Sequence, residues 1–136
     1  MGKYINPFTD WGFKRLFGQE FSKDLPISFL NDLLVGEVHI TDVTFLDKEQ
    51  LAFTKDQRGI IYDVYCKTDT GKHVIVEMQN EWVPYFIDRS ICYACRSVLA
   101  QVDRGKKESA GAYEFLPVYV TCFMNYVPHE LSLIHI

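Results

Sequence analysis

The chain has 136 residues and a mass of 15.8 kDa, about one domain's worth and long enough to bury a core. Apolar residues make up 48% and charged residues 24%, a globular balance that excludes whole-chain disorder and coiled coil. Fourteen basic residues against eighteen acidic ones leave a charge of −4, so any nucleic-acid partner has to be met by a local patch rather than by bulk basicity.

Thr9-Asp10 is a good N-cap pair, and Phe13, Leu16 and Phe17 follow at helical spacing up to Gly18. A second helix starts near Ser22 or Asp24. Pro26 fits its first turn, and Ile27, Leu30 and Leu34 form an apolar stripe that Gly36 closes. Val38 to Leu46 alternates like a strand, and 47–58 reads as a polar loop. Ile60 to Lys67 is rich in Ile, Tyr and Val and reads as a strand. Thr68-Asp69-Thr70-Gly71 is turn chemistry, and His73 to Gln79 is the returning strand of a hairpin.

Pro84 suits the first position of a long helix that runs to Arg104, with Ile91, Cys95, Val98 and Val102 as its apolar stripe. After a polar linker, Val118 to Met124 is an apolar run expected to be buried on both faces. The order is α, α, β, β, β, α, β: a mixed α/β sheet of αβββαβ type with an extra short N-terminal helix. The long helix is a crossover, so the last strand should lie parallel to the third.

The two ends and the cysteines carry separate expectations. Leu131-Ser132-Leu133-Ile134-His135-Ile136 is what CTG TCT CTT ATA CAC ATC encodes, and that string resembles the mosaic end of a sequencing adapter. The domain is therefore expected to occupy residues 1–130, truncated at its C-terminus, with 131–136 a non-native tail. No apolar signal segment precedes Cys66, Cys92, Cys95 and Cys122, so free thiols in a cytoplasmic protein are expected, with Cys95 in the core. No 18-residue apolar stretch exists, which leaves no place for a membrane helix. His39 and His73 are isolated in the sequence.

The residues that carry chemistry are acidic groups in apolar strands. Asp63 interrupts Ile60-Ile61-Tyr62-Asp63-Val64-Tyr65-Cys66, and Glu77 and Gln79 interrupt the next strand. Carboxylates are depleted in strands, and burying one costs several kcal/mol unless it is paired or bound to a metal. A three-residue loop of Asp69, Thr70 and Gly71 makes Asp63 and Glu77 cross-strand partners, with Cβ atoms about 4.5–5.5 Å apart on one face. Ile61, Tyr65, Ile75 and Gln79 should share that face. Two carboxylates that close repel each other, and a divalent cation removes the conflict; hard oxygen ligands suit Mg²⁺.

This series of blocks resembles the PD-(D/E)XK nuclease superfamily, and within it the transposase-related, recombination-promoting nucleases of mobile elements. The resemblance rests on Thr9 to Gly18, Phe29 to Leu34, Ile61 to Cys66, Val76-Glu77-Met78-Gln79, and Arg89 with Tyr93. It implies a restriction-endonuclease-like core and Mg²⁺-dependent (or Mn²⁺-dependent) hydrolysis of DNA phosphodiesters. Asp63, Glu77 and the Met78 carbonyl would bind the metal, and Gln79, standing where most members carry lysine, would orient the attacking water. The missing lysine charge would come from Lys14, Lys55 or Arg58. Arg89, Tyr93 and Arg96 share one helical stripe, which either contacts DNA phosphates or is a solvated face with Arg89 near Asp88 or a site carboxylate. Asp10 and Lys14 either buttress the site or form a plain i, i+4 ion pair. A catalytically inactive DNA-binding or interaction module that keeps the nuclease fold is the alternative.

Overall fold

A computed structural model of the chain describes residues 4–46, 49–50, 60–102 and 115–127, with 49, 50 and 60 described by backbone alone. Lys55, Arg58 and the segment 131–136 lie outside the described residues. Helix α1 spans Asp10–Phe17. Thr9 caps it by accepting the Gly12 N–H at 3.0 Å, and the Gly18 N–H closes it on the Lys14 carbonyl. A short 3₁₀ turn, Glu20–Ser22, leads into α2, Asp24–Leu33.

Strand β1 is only Val43–Phe45, shorter than the alternating pattern from Val38 implies. The reason is local. The Asn31 side chain donates to the Ile40 carbonyl at 2.8 Å and accepts the Ile40 N–H at 2.7 Å, so this backbone is tied to α2 rather than to a neighbouring strand. Strands β2, Glu49–Gln50, and β3, Ile60–Ile61, pair with each other as a separate antiparallel ribbon. Strand β4, Val64–Thr68, and β5, His73–Gln79, form the expected hairpin. Its register pairs Val64 with Val76, Tyr65 with Ile75 and Cys66 with Val74, symmetric about Thr70.

Gly71 makes that register possible. It sits at φ +85°, and a Cβ there would lie 2.8 Å from Leu116 Cδ1. Gly71→Ala should therefore destabilise the domain by about 1–2 kcal/mol in urea unfolding, from the left-handed backbone, while the end of the Leu116 side chain swings aside. An unchanged midpoint would mean the turn is not held this way.

Helix α3 spans Phe86–Leu99, and β6, Val118–Met124, runs parallel to β5 along its whole length. The crossover thus links parallel neighbours as the sequence implies, and the four-stranded sheet has the order β1-β4-β5-β6. Helices α1 and α2 cover one face, over Phe13, Phe17, Leu30, Val64, Cys66, Val74 and Val76. Helix α3 covers the other, where Tyr65 and Ile75 pack with Tyr62, Tyr93, Val118 and Val120. Strand β6 is half-buried throughout, not wholly enclosed as its apolar run implies. It stands at the edge of the described sheet.

The α3 contact face also differs from the apolar stripe. Cys95 and Cys92 are exposed, and the buried position is Ser97. The Ser90 hydroxyl lies 3.9 Å from Cys122 Sγ on β6, and Ser97 follows two turns later. Small side chains let the helix approach the sheet closely. The Ser97 hydroxyl is satisfied there by Tyr65 Oη at 2.9 Å and His73 Nδ1 at 3.1 Å, and those two lie 2.6 Å apart. His73, isolated in the sequence, is thus a member of a buried hydrogen-bonded cluster.

Candidate active site

The expected strand Ile60–Lys67 is broken at the residue that matters. After Ile61 the chain leaves the β2–β3 ribbon, and it enters the sheet at Val64. Asp63 occupies the gap. The paired register ends at Val64 opposite Val76, and beyond it hydrogen bonds through the Asp63 and Glu77 side chains replace the ladder. The Asp63 N–H donates to Glu77 Oε1 at 3.1 Å, and the Met78 N–H donates to Asp63 Oδ2 at 2.9 Å. Each carboxylate thus grips the backbone of the segment that carries the other. The break also turns Ile61 outward, 64% exposed, so it does not share the face of Tyr65 and Ile75 as expected.

Glu77 is 5% exposed. Burial first, and then the neighbouring Asp63, push its carboxyl up to about 7 from the ordinary 4.5. The bond from the Asp63 N–H, the Arg89 guanidinium and the Lys14 ammonium work against that rise. Lys14 makes an ion pair with Asp10 at 2.6 Å, and its pKa is raised chiefly by that partner, with smaller contributions from Asp63 and Glu77. The i, i+4 pair is therefore real, and its cation is also felt at the two site carboxylates.

Gln79 is held at both ends of its amide. Its Oε1 accepts from Arg89 Nη2 at 2.6 Å, and its Nε2 donates to the Glu81 carbonyl at 2.6 Å. Arg89 reaches the site from the first turn of α3, with its guanidinium 5.3 Å from the Phe86 ring centre. The charges of Arg89 and Lys14 both act on Glu77. The contact between Arg89 and Gln79 was not foreseen, since nothing in a one-dimensional pattern pairs residues ten apart across a loop and a helix turn. Tyr93, on one helical stripe with Arg89, has the Arg89 guanidinium 5.9 Å from its ring centre. Its ring packs edge-on against Tyr62 at 5.2 Å, and its carbonyl accepts from the Tyr62 hydroxyl at 3.3 Å. The charge of Arg96 is felt at the Tyr62 hydroxyl, where it opposes the rise that burial causes.

Among the described residues no group of three or more His, Cys, Asp and Glu side chains could hold a metal ion. A metal at this site would thus rest on two carboxylates and on backbone oxygen. The donor set suits a hard divalent cation: a buried carboxylate held near neutrality by burial, a second carboxylate beside it, and unused lone pairs on both. In a strand, the N–H and C=O of one residue point to the same edge. The Met78 N–H points to Asp63, so its carbonyl opens on that edge as well.

The profile of the family described as PD-(D/E)XK nuclease family transposase matches residues 7–132. No curated protein and no solved structure gives a significant match. Among the described residues, no helix is long and apolar enough to cross a membrane.

Proposed function

The chain belongs to the PD-(D/E)XK nuclease family transposases, and from that premise we propose that it is a DNA endonuclease that depends on a divalent metal, Mg²⁺ or Mn²⁺. The observation that carries this reading is the reciprocal grip of Asp63 and Glu77. It sets two carboxylates, and the side of β5 that carries the Met78 carbonyl, at the point where β4 and β5 part, with an unfavourable buried charge that a cation would relieve. Asp63, Glu77 and the Met78 carbonyl would hold the ion. When bound, such an ion neutralises charge on the scissile phosphate and lowers the pKa of a coordinated water.

The chain's own groups do the rest. Arg89 fixes Gln79 by its oxygen, and the Glu81 carbonyl fixes it by its nitrogen, so the amide is set in one orientation. Its remaining N–H and lone pair can align a water toward the phosphate, which a neutral amide does without taking the proton. Arg89 and Lys14, whose charges both act on Glu77, supply the positive charge that lysine gives elsewhere in the superfamily. Arg89→Ala should lower nicking about 10- to 100-fold, because it frees Gln79 and removes a cation. It should also move the pH–rate profile to the alkaline side, since Glu77 then ionises at higher pH. An unshifted profile with an undiminished rate would exclude this role.

The alternative is a non-catalytic DNA-binding module. Gln79 favours it, because a neutral amide can neither take up a proton nor supply the charge of a lysine. Conversion of supercoiled plasmid to open circles in Mg²⁺, with none in chelator, decides for the nuclease; DNA binding without conversion decides for the module.

A further inference from the structure

The loop between β5 and α3 leaves the candidate site directly after Gln79 and carries two aromatic rings into solvent. Trp82 is 63% exposed and Tyr85 80%. Tyr85 also has a backbone φ of +63°, the one non-glycine residue with positive φ among those described. A bulky side chain seldom adopts that conformation unless its surroundings impose it. Here its carbonyl accepts the Arg89 N–H at 2.9 Å, the first bond of α3.

The base of the loop is braced. The Gln79 amide donates to the Glu81 carbonyl, Asn125 Nδ2 donates to Asn80 Oδ1 at 3.0 Å, and the Asn125 N–H donates to the Gln79 carbonyl at 3.1 Å. The two rings are therefore presented from a fixed frame beside Gln79 and Arg89. Charge narrows what they can receive. From Asn80 to Arg89 the charged residues are Glu81 and Asp88, both acidic and exposed, and Arg89, whose guanidinium lies at the candidate site. A phosphate is favoured beside Arg89 and disfavoured beside Glu81 and Asp88, whereas the π-face of a base carries no net charge and can be received by the rings themselves.

We propose that Trp82 and Tyr85 form a stacking platform for unpaired bases of the DNA substrate, so that the preferred substrate has an opened or single-stranded segment flanking the scissile phosphate. This rests on the reading of Asp63 and Glu77 as a nuclease centre for its biological meaning. The stacking itself is measurable without turnover. With Trp11→Phe as background, Trp82 is the sole tryptophan of the chain. Titrating this 136-residue chain in EDTA with a twelve-base oligothymidylate should quench its emission. Trp82→Ala should bind the same labelled oligonucleotide about tenfold more weakly. Tyr85→Gly should weaken it by a similar factor while melting no lower than the parent, because glycine accepts the left-handed backbone. A fully paired duplex of equal length should show neither quench nor loss.

Absent quenching, or equal oligonucleotide affinity in parent and both variants, overturns the platform. So does sedimentation showing that Trp82→Ala turns a dimer into a monomer, which would assign the rings to a second copy of the chain. If quenching holds but no plasmid is ever nicked in Mg²⁺, the platform stands and the nuclease reading falls. If plasmid is nicked while both variants bind like the parent, the reverse is true.

Discussion

Asp63→Ala and Glu77→Gln should each leave supercoiled plasmid intact in Mg²⁺, with a rate at least about 10³-fold below the parent. The two side chains act as a unit. Asp63 accepts the Met78 N–H, and Glu77 accepts the Asp63 N–H, so removing either acid also loosens the backbone that presents the other. The double variant should accordingly be little worse than either single one, because the residues of a shared site are non-additive. The conservative Glu77→Gln change keeps the shape and an oxygen for the Asp63 N–H and removes only the charge. Its loss of nicking therefore isolates the anion, and nicking retained by both single variants would remove these residues from the chemistry.

The same Glu77 should make the metal-free protein less stable as pH rises. Its carboxyl titrates near 7 in the folded chain against an ordinary 4.5. Below about pH 4.5 the group is protonated in both folded and unfolded chains and costs nothing. Between there and pH 7 the unfolded chain gives up the proton while the folded chain keeps it. Stability then falls across that window, by roughly 3 kcal/mol in all, and levels off above it. Glu77→Gln should flatten this part of the profile, so that the inactive variant is the more stable protein at pH 8 and nearly equal to the parent at pH 4.5. Added Mg²⁺ at pH 8 should raise the melting temperature of the parent and not of the variant, since a ligand that binds only the folded state stabilises it. Urea or thermal unfolding at the two pH values, with and without Mg²⁺, measures all of this. A parent and variant that fall in parallel between pH 4.5 and 8 would contradict the account.

Much of the frame was legible in the sequence because local chemistry and tertiary structure agree there. Thr9 caps α1, Gly71 permits the tight hairpin, and the β-branched runs on either side fix a register that ends at Val64 and Val76, next to Asp63 and Glu77. The parallel placement of β6 follows from the crossover helix alone. What could not be read is where side chains replace backbone. Asp63 leaves the ladder because carboxylates accept the N–H groups that a strand would have paired, and no propensity distinguishes that from a continuous strand. Asn31 shortens β1 in the same way, by occupying the Ile40 backbone.

Helix α3 misleads for a different reason. Its apolar periodicity points to Cys95, whereas close approach to the sheet selects Ser97, whose hydroxyl is satisfied only by Tyr65 and His73, distant in sequence. The same distance hid the coupling of Arg89 to Gln79. Tyr93 shows the converse. It lies on the predicted stripe with Arg89, and it also packs on Tyr62 in the aromatic layer.

The most direct test of the account is metal binding itself, followed by calorimetric titration of the full chain with Mn²⁺ at pH 8 in the absence of DNA. The parent should take up the ion with a defined stoichiometry, and both Asp63→Ala and Glu77→Gln should abolish that heat, because one ligand sphere needs both acids. Undiminished binding by either variant would place the ion elsewhere and contradict the shared site.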